Sequence, residues 1–344
     1  MPSVIALSRQ QRRDILDASL AQAAACAEAA PRRALTRGSF VFFAAFDGTN
    51  NDKDDLAGDA YCTNVGQLWQ QYDADRAENL QGAYYPGLGT NGRPTRETWM
   101  SSAVTVGVIE TAKKAYIDYA KAASAWLAAH PRAAVSVVLT GFSRGTASAA
   151  IFSQLLWKRG LVLPYPSGKV LIKPGATRIA GGVLFDPVAT GVQGNLAFPP
   201  NARKLVVFKA LNEYRHLFKA VNYTKQRDAA TTFGFYGNHC DVGGGYDNGL
   251  AAVTLEAATR FLQKSGLAIG DVPAARRLAE DEIAVHSEEH DDRGQRIWDG
   301  YHPDGFSFRD LRLFDRAVQV SPASRDNAAG RRGFTLYDGP RLLL

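Results

Sequence analysis

The sequence contains few of the features that mark extracellular, membrane-spanning or metal-binding proteins. It has three cysteines, Cys26, Cys62 and Cys240, and their spacing fits neither a zinc site nor a disulfide framework. The longest clear apolar run, Phe40 to Phe46, is far shorter than the roughly 18 residues that span a bilayer. The N-terminus does not show the basic, apolar and cleavage regions of a secretory signal peptide in that order. We therefore expect synthesis and folding in the cytoplasm.

The charge of the chain is not concentrated on any one segment. Its 40 Lys and Arg residues outnumber its 34 Asp and Glu residues, which gives a net charge of +6, and the arginine pairs are scattered. A solvated surface is the simplest interpretation, and weak attraction to anionic lipid headgroups comes second. Because we find no nucleic-acid-binding motif or aromatic-basic interleaving, we expect no nucleic-acid partner.

Strand-like and helix-like segments alternate along the 344 residues, a pattern typical of the α/β class. Propensity and periodicity predict helices over residues 8–30, 101–129, 147–157 and 250–265. Runs of β-branched and aromatic residues predict strands over residues 39–46, 134–140, 178–185 and 204–210. This alternation indicates a mostly parallel central sheet with helices on both faces.

The most informative local pattern is VVLTGFSRGTASAA, in which an apolar strand enters Gly141–Gly145 and a small-residue helix leaves it. This order resembles the nucleophile elbow of an α/β-hydrolase, where a strained turn exposes a serine Oγ above the sheet. Gly141 and Gly145 suit the turn because they let strand and helix pass closely. Ser143 is therefore the predicted nucleophile. The alternative is an ordinary strand-to-helix loop with a bystander serine.

A serine nucleophile needs a base that accepts its proton. His239 lies after the serine in the chain, in the glycine-dense stretch GNHCDVGGGY, which has the backbone freedom to reach across the sheet edge. His286 and His290 are spaced one helical turn apart, as metal ligands can be, but we find no third ligand. We interpret HSEEHDD as an exposed acidic helix face. We predict His239 as the base, no metal site and no cofactor.

The predicted acid is Asp186, which ends the apolar strand at the edge where parallel sheets present functional groups. The order Ser143, Asp186, His239 is that of the α/β-hydrolases. Asp186 also precedes a proline, so a plain turn aspartate is the alternative. Glu213 is the second candidate for the acid, although Arg215 would make it a structural ion-pair partner.

An oxyanion formed at the serine needs hydrogen-bond donors. The backbone N–H of Arg144, directly after the nucleophile, is one predicted donor. Gly48 and Thr49, in the loop after the first strand, are the candidates for the second, and Asp47 is expected to fix this loop. A turn that merely caps the strand is the alternative. The glycine loop over residues 84–90 either lines the cleft or turns the chain.

Several motifs in order resemble the α/β-hydrolase lipases known as the Tle phospholipase effectors of bacterial type VI secretion. The motifs are FDGTNND (46–52), YYPGLGT (84–90), GFSRG (141–145), LFDPVATG (184–191), ALNEYRHLF (210–218) and GNHCDVGGGY. The resemblance implies a triad of Ser143, Asp186 and His239, with Asp241 of the last motif supporting the site. This chain departs from the family at Asn212, where an aspartate often precedes the glutamate.

The resemblance also implies a function and an organisation of the chain. We expect a serine lipase or phospholipase that hydrolyses acyl esters of membrane glycerophospholipids, exported to act on a target-cell membrane. Partners would be the membrane surface, a secretion apparatus and an immunity protein. The domains would be a helical extension (1–38), a catalytic domain (39–265) and a C-terminal extension packed on it (266–344). A soluble carboxylesterase or amide hydrolase with the same triad and a non-catalytic interaction protein are the alternatives.

Overall fold

The computed structural model describes residues 3–4, most of 7–287, and 316–317. The gaps within 7–287 are 32–34, 36–37, 57–60, 75–76, 91–101, 164–166, 193–195, 214, 216–217, 219, 224–228, 247–248 and 279–282. His290, and all but two residues of the predicted C-terminal extension beyond residue 287, lie outside the described residues.

The described helices and strands follow one another along most of the chain. The helices are α1 Arg9–Glu28, α2 Asn64–Asp73, α3 Ser102–Ala129, α4 Gly145–Arg159, α5 His239–Gly243 and α6 Gly249–Lys264, with a 3₁₀ turn at Ala274–Arg276. The strands are β1 Ser3–Val4, β2 Phe40–Phe46, β3 Leu80–Tyr85, β4 Val135–Phe142, β5 Leu161–Val162, β6 Val170–Ile172, β7 Arg178–Phe185, β8 Leu205–Ala210, β9 Val221–Asn222, β10 Ala230–Phe235, β11 His286–Ser287 and β12 Arg316–Ala317.

The centre of the fold is a six-stranded sheet in the order β10-β8-β7-β4-β2-β3. Every neighbouring pair in it is parallel. Because parallel strands are covered on both faces, strand β2 reads as a continuous apolar run and all seven of its residues are buried. The prediction of an α/β fold with a mostly parallel sheet is confirmed.

Two apolar clusters cover the two faces of the sheet. The even-numbered residues of β2 pack in one cluster with α3 and α4, and the odd-numbered residues pack in the other with α2 and α6. This division follows from the strand period of two, which points successive side chains to opposite faces. The helices thus hold the strand ends in place from both sides, and the carboxyl ends of the strands form one edge.

The two middle strands end level with each other at this edge. One irregularity shifts the register of β4 against β7 between Val137 and Val138, so that β7 carries one additional residue. After this shift Phe142 pairs with Phe185, and the next residues, Ser143 and Asp186, leave the sheet side by side. Both adopt the left-handed backbone conformation, with φ of 54° and 33° respectively. Such values are uncommon outside glycine and often mark functional turns.

Several elements of the fold are absent from the prediction, and the longest of them are α2, β3 and β10. Strands β3 and β10 are the outermost strands of the central sheet. Residues 84–90, predicted as a glycine loop, begin with the last two residues of β3. Among the described helices, none combines the length and the apolar character that crossing a bilayer requires.

Candidate active site

Ser143 occupies a sharp turn between β4 and α4 and is 6% exposed. A Cβ atom on Gly145 would lie 2.4 Å from the backbone oxygen of both Phe46 and Asp47. Only a glycine therefore lets helix α4 start so close to the end of β2. A Cβ on Gly141 would come within 3.1 Å of Thr146 backbone atoms, which is tighter than ordinary contact. This is the steric situation that a nucleophile elbow requires.

Hydrogen bonds fix the backbone of the turn. The Ser143 N–H donates to the Phe185 carbonyl at 3.1 Å, and the Thr146 hydroxyl donates to the Ser143 carbonyl at 2.6 Å. Arg144 follows as the N-cap residue of α4, and its side chain is 2% exposed. Its backbone N–H therefore lies at a helix N-terminus, the end whose backbone N–H groups favour negative charge.

His239 lies at the same edge and bonds a carboxylate that also leaves the sheet there. Its Nδ1 is 2.6 Å from Oδ2 of Asp186, and both side chains are almost fully buried. His239 begins helix α5, and its ring packs against the rings of Phe142 and Phe218, with centroid distances of 4.5 and 4.9 Å. Burial lowers the pKa of His239, and the bond to Asp186 opposes that effect.

A hydrogen bond to the second carboxylate oxygen of Asp186 fixes the orientation of this side chain. The backbone N–H of Ala210 donates to Asp186 Oδ1 at 3.0 Å. The Asp186 N–H donates to the Phe208 carbonyl at 2.7 Å, which continues the ladder between β7 and β8. A carboxylate fixed in this way can hold an imidazole in one tautomer, with the proton on Nδ1 and the lone pair on Nε2.

Glu213, the second candidate for the acid, contacts a different part of His239. Its Oε2 accepts a hydrogen bond from the His239 backbone N–H at 3.2 Å, whereas Asp186 contacts the ring. Glu213 also bonds the guanidinium of Arg215 at 2.9 and 2.7 Å. Arg215 lies over the Phe218 ring, 3.5 Å from its centroid. Glu213 is therefore placed to hold the start of α5.

Asp47 is the centre of the loop after β2. Its carboxylate accepts hydrogen bonds from the Gly48 N–H at 2.7 Å, from the Thr63 hydroxyl at 2.8 Å and from the Tyr84 hydroxyl at 2.6 Å. Burial raises the pKa of Asp47 to about 6, and these three bonds oppose the rise. Because Asp47 already engages the Gly48 N–H, Gly48 does not offer that donor to an oxyanion in this arrangement. Of the two residues predicted as the second donor, Thr49 is the one left.

The loops over residues 46–52 and 84–90 interlock. Asn50 donates its N–H to the Leu88 carbonyl at 2.8 Å, and Gly87 donates to the Asn51 carbonyl at 2.9 Å. A Cβ on Gly87 would lie 1.6 Å from the Gly48 carbonyl oxygen, so the backbones approach as closely as only glycine allows. The second loop therefore braces the first, directly beside the start of α4.

Asp241 has a partner that the sequence analysis did not predict. Its Oδ1 lies 2.6 Å from Nδ1 of His286, and both side chains are buried. His286 belongs to strand β11, so the interpretation of its segment as an exposed acidic helix face is wrong for this residue. The cause is a strand pairing with Ser3–Val4, a contact so distant in sequence that local spacing cannot indicate it. In the described residues, no three His, Cys, Asp or Glu side chains form a group that could hold a metal ion.

Comparison with protein families matches one segment of the chain. Residues 42–171 match the model described as "T6SS, Phospholipase effector Tle1-like, catalytic domain". The predicted resemblance is confirmed over this segment. The Tle1-like segment is less than half of the chain; it contains Ser143 and both interlocked loops, and it ends before Asp186 and His239. No curated protein gives a significant match.

Solved structures add information about the fold. An uncharacterized protein from Pseudomonas aeruginosa is similar with a TM-score of 0.50 and 16% identity, over 81% of this chain and 53% of its own. The Tle1 effector bound to the VgrG spike of the type VI secretion system has a TM-score of 0.43 and 20% identity, over 64% of this chain and 53% of its own. Esterase 2 of Thermogutta terrifontis has a TM-score of 0.34 and 17% identity, over 70% of this chain and 86% of its own. The chain spans about half the length of the first two proteins. The first likeness shows the fold alone.

Proposed function

We propose that this protein is a serine hydrolase that cleaves acyl esters of glycerophospholipids. The observation that carries the proposal is the 2.6 Å bond between His239 and Asp186, at the sheet edge where Ser143 forms a left-handed turn. The family match to a phospholipase effector catalytic domain supports the reaction class over residues 42–171. The same arrangement argues against a purely non-catalytic role, because a binding module has no need of a buried carboxylate-imidazole pair beside a strained serine.

In the proposed mechanism His239 is the general base. Asp186 keeps the proton on Nδ1, so Nε2 accepts the Ser143 hydroxyl proton as Oγ attacks the ester carbonyl. The imidazolium that forms is stabilised by Asp186 and then gives its proton to the leaving alcohol. Water then attacks the acyl carbonyl and gives a proton to His239. The bond from the acyl group to Ser143 Oγ breaks, His239 returns the proton to Oγ, and the fatty acid leaves. Because burial lowers the pKa of His239, the ring is in its neutral, accepting form at neutral pH.

The developing oxyanion needs fixed donors in a site from which water is excluded. We assign this role to the backbone N–H of Arg144 and to that of Thr49. Thr49 lies in the loop that Asp47 and the Gly87 contact hold against the start of α4. Asp47 therefore acts on the oxyanion through the backbone it positions.

The substrate class and setting rest on the family description. The proposal includes action at a membrane surface, delivery by a type VI secretion apparatus and inhibition by an immunity protein. The related Tle1 effector has been seen bound to the VgrG spike, which is a fact about that protein. A carboxylesterase that acts on small dissolved esters is the second candidate, since the same groups serve both reactions.

Mass spectrometry of the products from defined phospholipid vesicles tests the proposal. Wild type should release fatty acid, and Ser143→Ala should release none while its circular dichroism and melting temperature stay those of wild type. Ser153→Ala is the matched control, because the buried Ser153 hydroxyl donates a hydrogen bond only one helical turn back, to the Ala149 carbonyl of α4. This control should keep wild-type release.

Three results would separate the candidates. Release by Ser143→Ala equal to that of wild type would rule out Ser143 as the nucleophile. Hydrolysis of dissolved short-chain esters with no hydrolysis of vesicles would favour the carboxylesterase. A fluorophosphonate probe that fails to label Ser143 in the folded protein would favour a non-catalytic role.

A further inference from the structure

We propose that His286 is a positioning residue for His239 and acts through Asp241. This inference rests on the proposed function, since it assigns the support of the proposed base. It concerns a second carboxylate-imidazole pair, formed by Asp241 and His286. Asp241 lies two residues after His239 in the chain.

Asp241 links His286 to the first turn of helix α5. Asn238 caps this helix, and its side-chain oxygen accepts hydrogen bonds from the N–H groups of Cys240 and Asp241. In return, Asp241 Oδ2 accepts from the Asn238 N–H at 2.9 Å. This reciprocal capping box encloses His239, the residue that follows Asn238. The orientation of His239 therefore depends on where the Asp241 carboxylate is held.

His286 supplies that carboxylate with two of its hydrogen bonds. Its backbone N–H donates to Asp241 Oδ2 at 2.9 Å, and its ring Nδ1 lies 2.6 Å from Oδ1. Burial raises the pKa of Asp241, and the bonds from His286 oppose that rise most strongly. A buried carboxylate that loses a donor is costly, so it moves or recruits a proton. Either response would loosen the capping box around His239.

The opposite side of Asp241 leaves little room for movement. A Cβ on Gly237 would lie 2.3 Å from the Asp241 Cβ, which places the Asp241 side chain tightly against the backbone before the helix. Tyr246 contacts both His286 and Asn238: its ring packs on the His286 ring, with a centroid distance of 4.5 Å, and its hydroxyl accepts a hydrogen bond from the Asn238 side-chain amide at 3.1 Å. The His286 ring is thus packed directly against the residues that start α5.

His286 is itself fixed from outside this arrangement. Its strand β11 pairs antiparallel with β1, with Val4 opposite His286. The residues just before it, Ile283 and Val285, are buried in an apolar cluster with Leu7 and Ile15 of the N-terminal region. The strand pairing and the apolar packing hold the backbone of His286 in place, so its side chain can hold the Asp241 carboxylate in one position. The segment 283–287, beyond the predicted boundary of the catalytic domain at residue 265, thereby supports the proposed base.

A purely stabilising role would produce a different pattern among variants of His286. Asparagine places its amide nitrogen close to the position of Nδ1 and can still donate to Asp241 Oδ1, whereas alanine cannot. If His286 positions His239, His286→Ala should lower kcat for a dissolved short-chain ester at unchanged KM. His286→Asn should keep kcat near the wild-type value. The expected loss for alanine is about 10- to 100-fold, since a misplacement near 1 Å has that scale of effect.

The second measurement does not depend on any substrate. A proton in a short bond between imidazole and carboxylate gives a strongly downfield signal in proton NMR, and wild type should show one for each pair. The signal that disappears in His239→Asn belongs to His239. We expect this His239 signal to persist in His286→Asn and to shift or broaden in His286→Ala.

Tyr119→Phe is the control for lost stability, because its hydroxyl bonds Thr177 on the opposite face of the sheet. All variants are compared well below their melting temperatures. The inference is overturned if His286→Ala keeps both kcat and the His239 signal, or if His286→Asn loses as much as alanine. If wild type hydrolyses no ester while the NMR pattern appears as expected, the proposed function fails and the positioning role stands.

Discussion

Oδ2 of Asp186 lies 2.6 Å from Nδ1 of His239, although the two residues are 53 positions apart in the chain. Asp186 continues the apolar strand β7, and His239 begins a short helix after the edge strand β10. Both side chains are almost fully removed from solvent, which strengthens their electrostatic interaction. This relationship distinguishes Asp186 from Glu213, whose Oε2 accepts a hydrogen bond from the backbone N–H of His239.

Asp186→Asn should lower kcat by about 10⁴-fold with little change in KM, the scale seen when a triad aspartate becomes an amide. The amide nitrogen would donate to Nδ1 and move the ring proton to Nε2, so the ring could no longer accept a proton from Ser143. Glu213→Gln should lower kcat by less than about tenfold while it lowers the melting temperature, because it breaks the buried pair with Arg215. Equal losses in the two variants would show that Glu213 shares the acid role.

The dependence of kcat/KM on pH should show an acid limb with its midpoint below 6.5, the ordinary pKa of histidine. Burial lowers the pKa of His239, so the neutral ring persists to lower pH. An uncharged, dissolved ester is the substrate of choice, since its own charge does not change with pH. A midpoint above 6.5 would mean that the bond to Asp186 outweighs burial in the working enzyme.

The same shift predicts how acid affects stability through His239. Between its folded pKa and 6.5 the unfolded chain binds more protons at this residue than the folded chain does, so this contribution to stability falls as pH falls. Urea unfolding of wild type and His239→Gln at pH 7.5 and 5.5 measures the effect. Wild type should lose more unfolding free energy than the variant over this interval. A smaller loss in wild type would contradict the direction of the shift.

Gly87→Ala should separate the two interlocked loops beside the elbow. Its Cβ would lie 1.6 Å from the Gly48 carbonyl oxygen, so the backbone must move. We expect kcat/KM to fall by about 100-fold and the free energy of unfolding by about 1–3 kcal/mol. Gly181→Ala is the control, because its Cβ would meet no heavy atom closer than 3.7 Å. Normal activity in Gly87→Ala would show that the loop contact does not position the oxyanion donors.

Asp47→Asn should slow the labelling of Ser143 by a fluorophosphonate, because that reaction would use the same proposed oxyanion donors. The Asp47 carboxylate accepts hydrogen bonds from the Gly48 N–H and from the Thr63 and Tyr84 hydroxyls. An asparagine at this position turns an NH₂ group toward one of these donors, so that hydrogen bond is lost. The cost in unfolding free energy should be about 1–3 kcal/mol. Tyr84→Phe should have a smaller effect in the same direction. Tyr85→Phe, whose hydroxyl bonds Asp118, is the matched control, and slowing equal to that of Tyr84→Phe would contradict the prediction.

The sequence predicts the inner strands of the sheet well and its outer strands poorly, for a physical reason. Strand β2 is covered on both faces, so its seven residues form an unmistakable apolar run. The edge strands β3 and β10 are only partly buried and mix polar residues and glycine with aromatics. Such segments lack both the continuous apolar run and the clean alternation on which strand prediction depends.

The candidate site shows the same division between local and distant information. The elbow around Ser143 is readable because strand, turn and helix are consecutive and each has its own composition. The bond between Asp241 and His286 is not readable, because it depends on a strand pairing with residues 3–4. The engagement of the Gly48 N–H by Asp47 likewise depends on a side-chain rotamer that spacing does not encode.

The additional residue of β7 at the irregularity near Val137 has a consequence for any attempt to redesign this protein. The number of residues in β4 and β7 after this irregularity determines that Ser143 and Asp186 lie side by side at the sheet edge. A single deletion there would rotate one half of the strand by one step, and every side chain on that half would exchange faces. If Ser143 and Asp186 act as proposed, the number of residues in an unreactive strand constrains activity as strictly as the identity of these two side chains does.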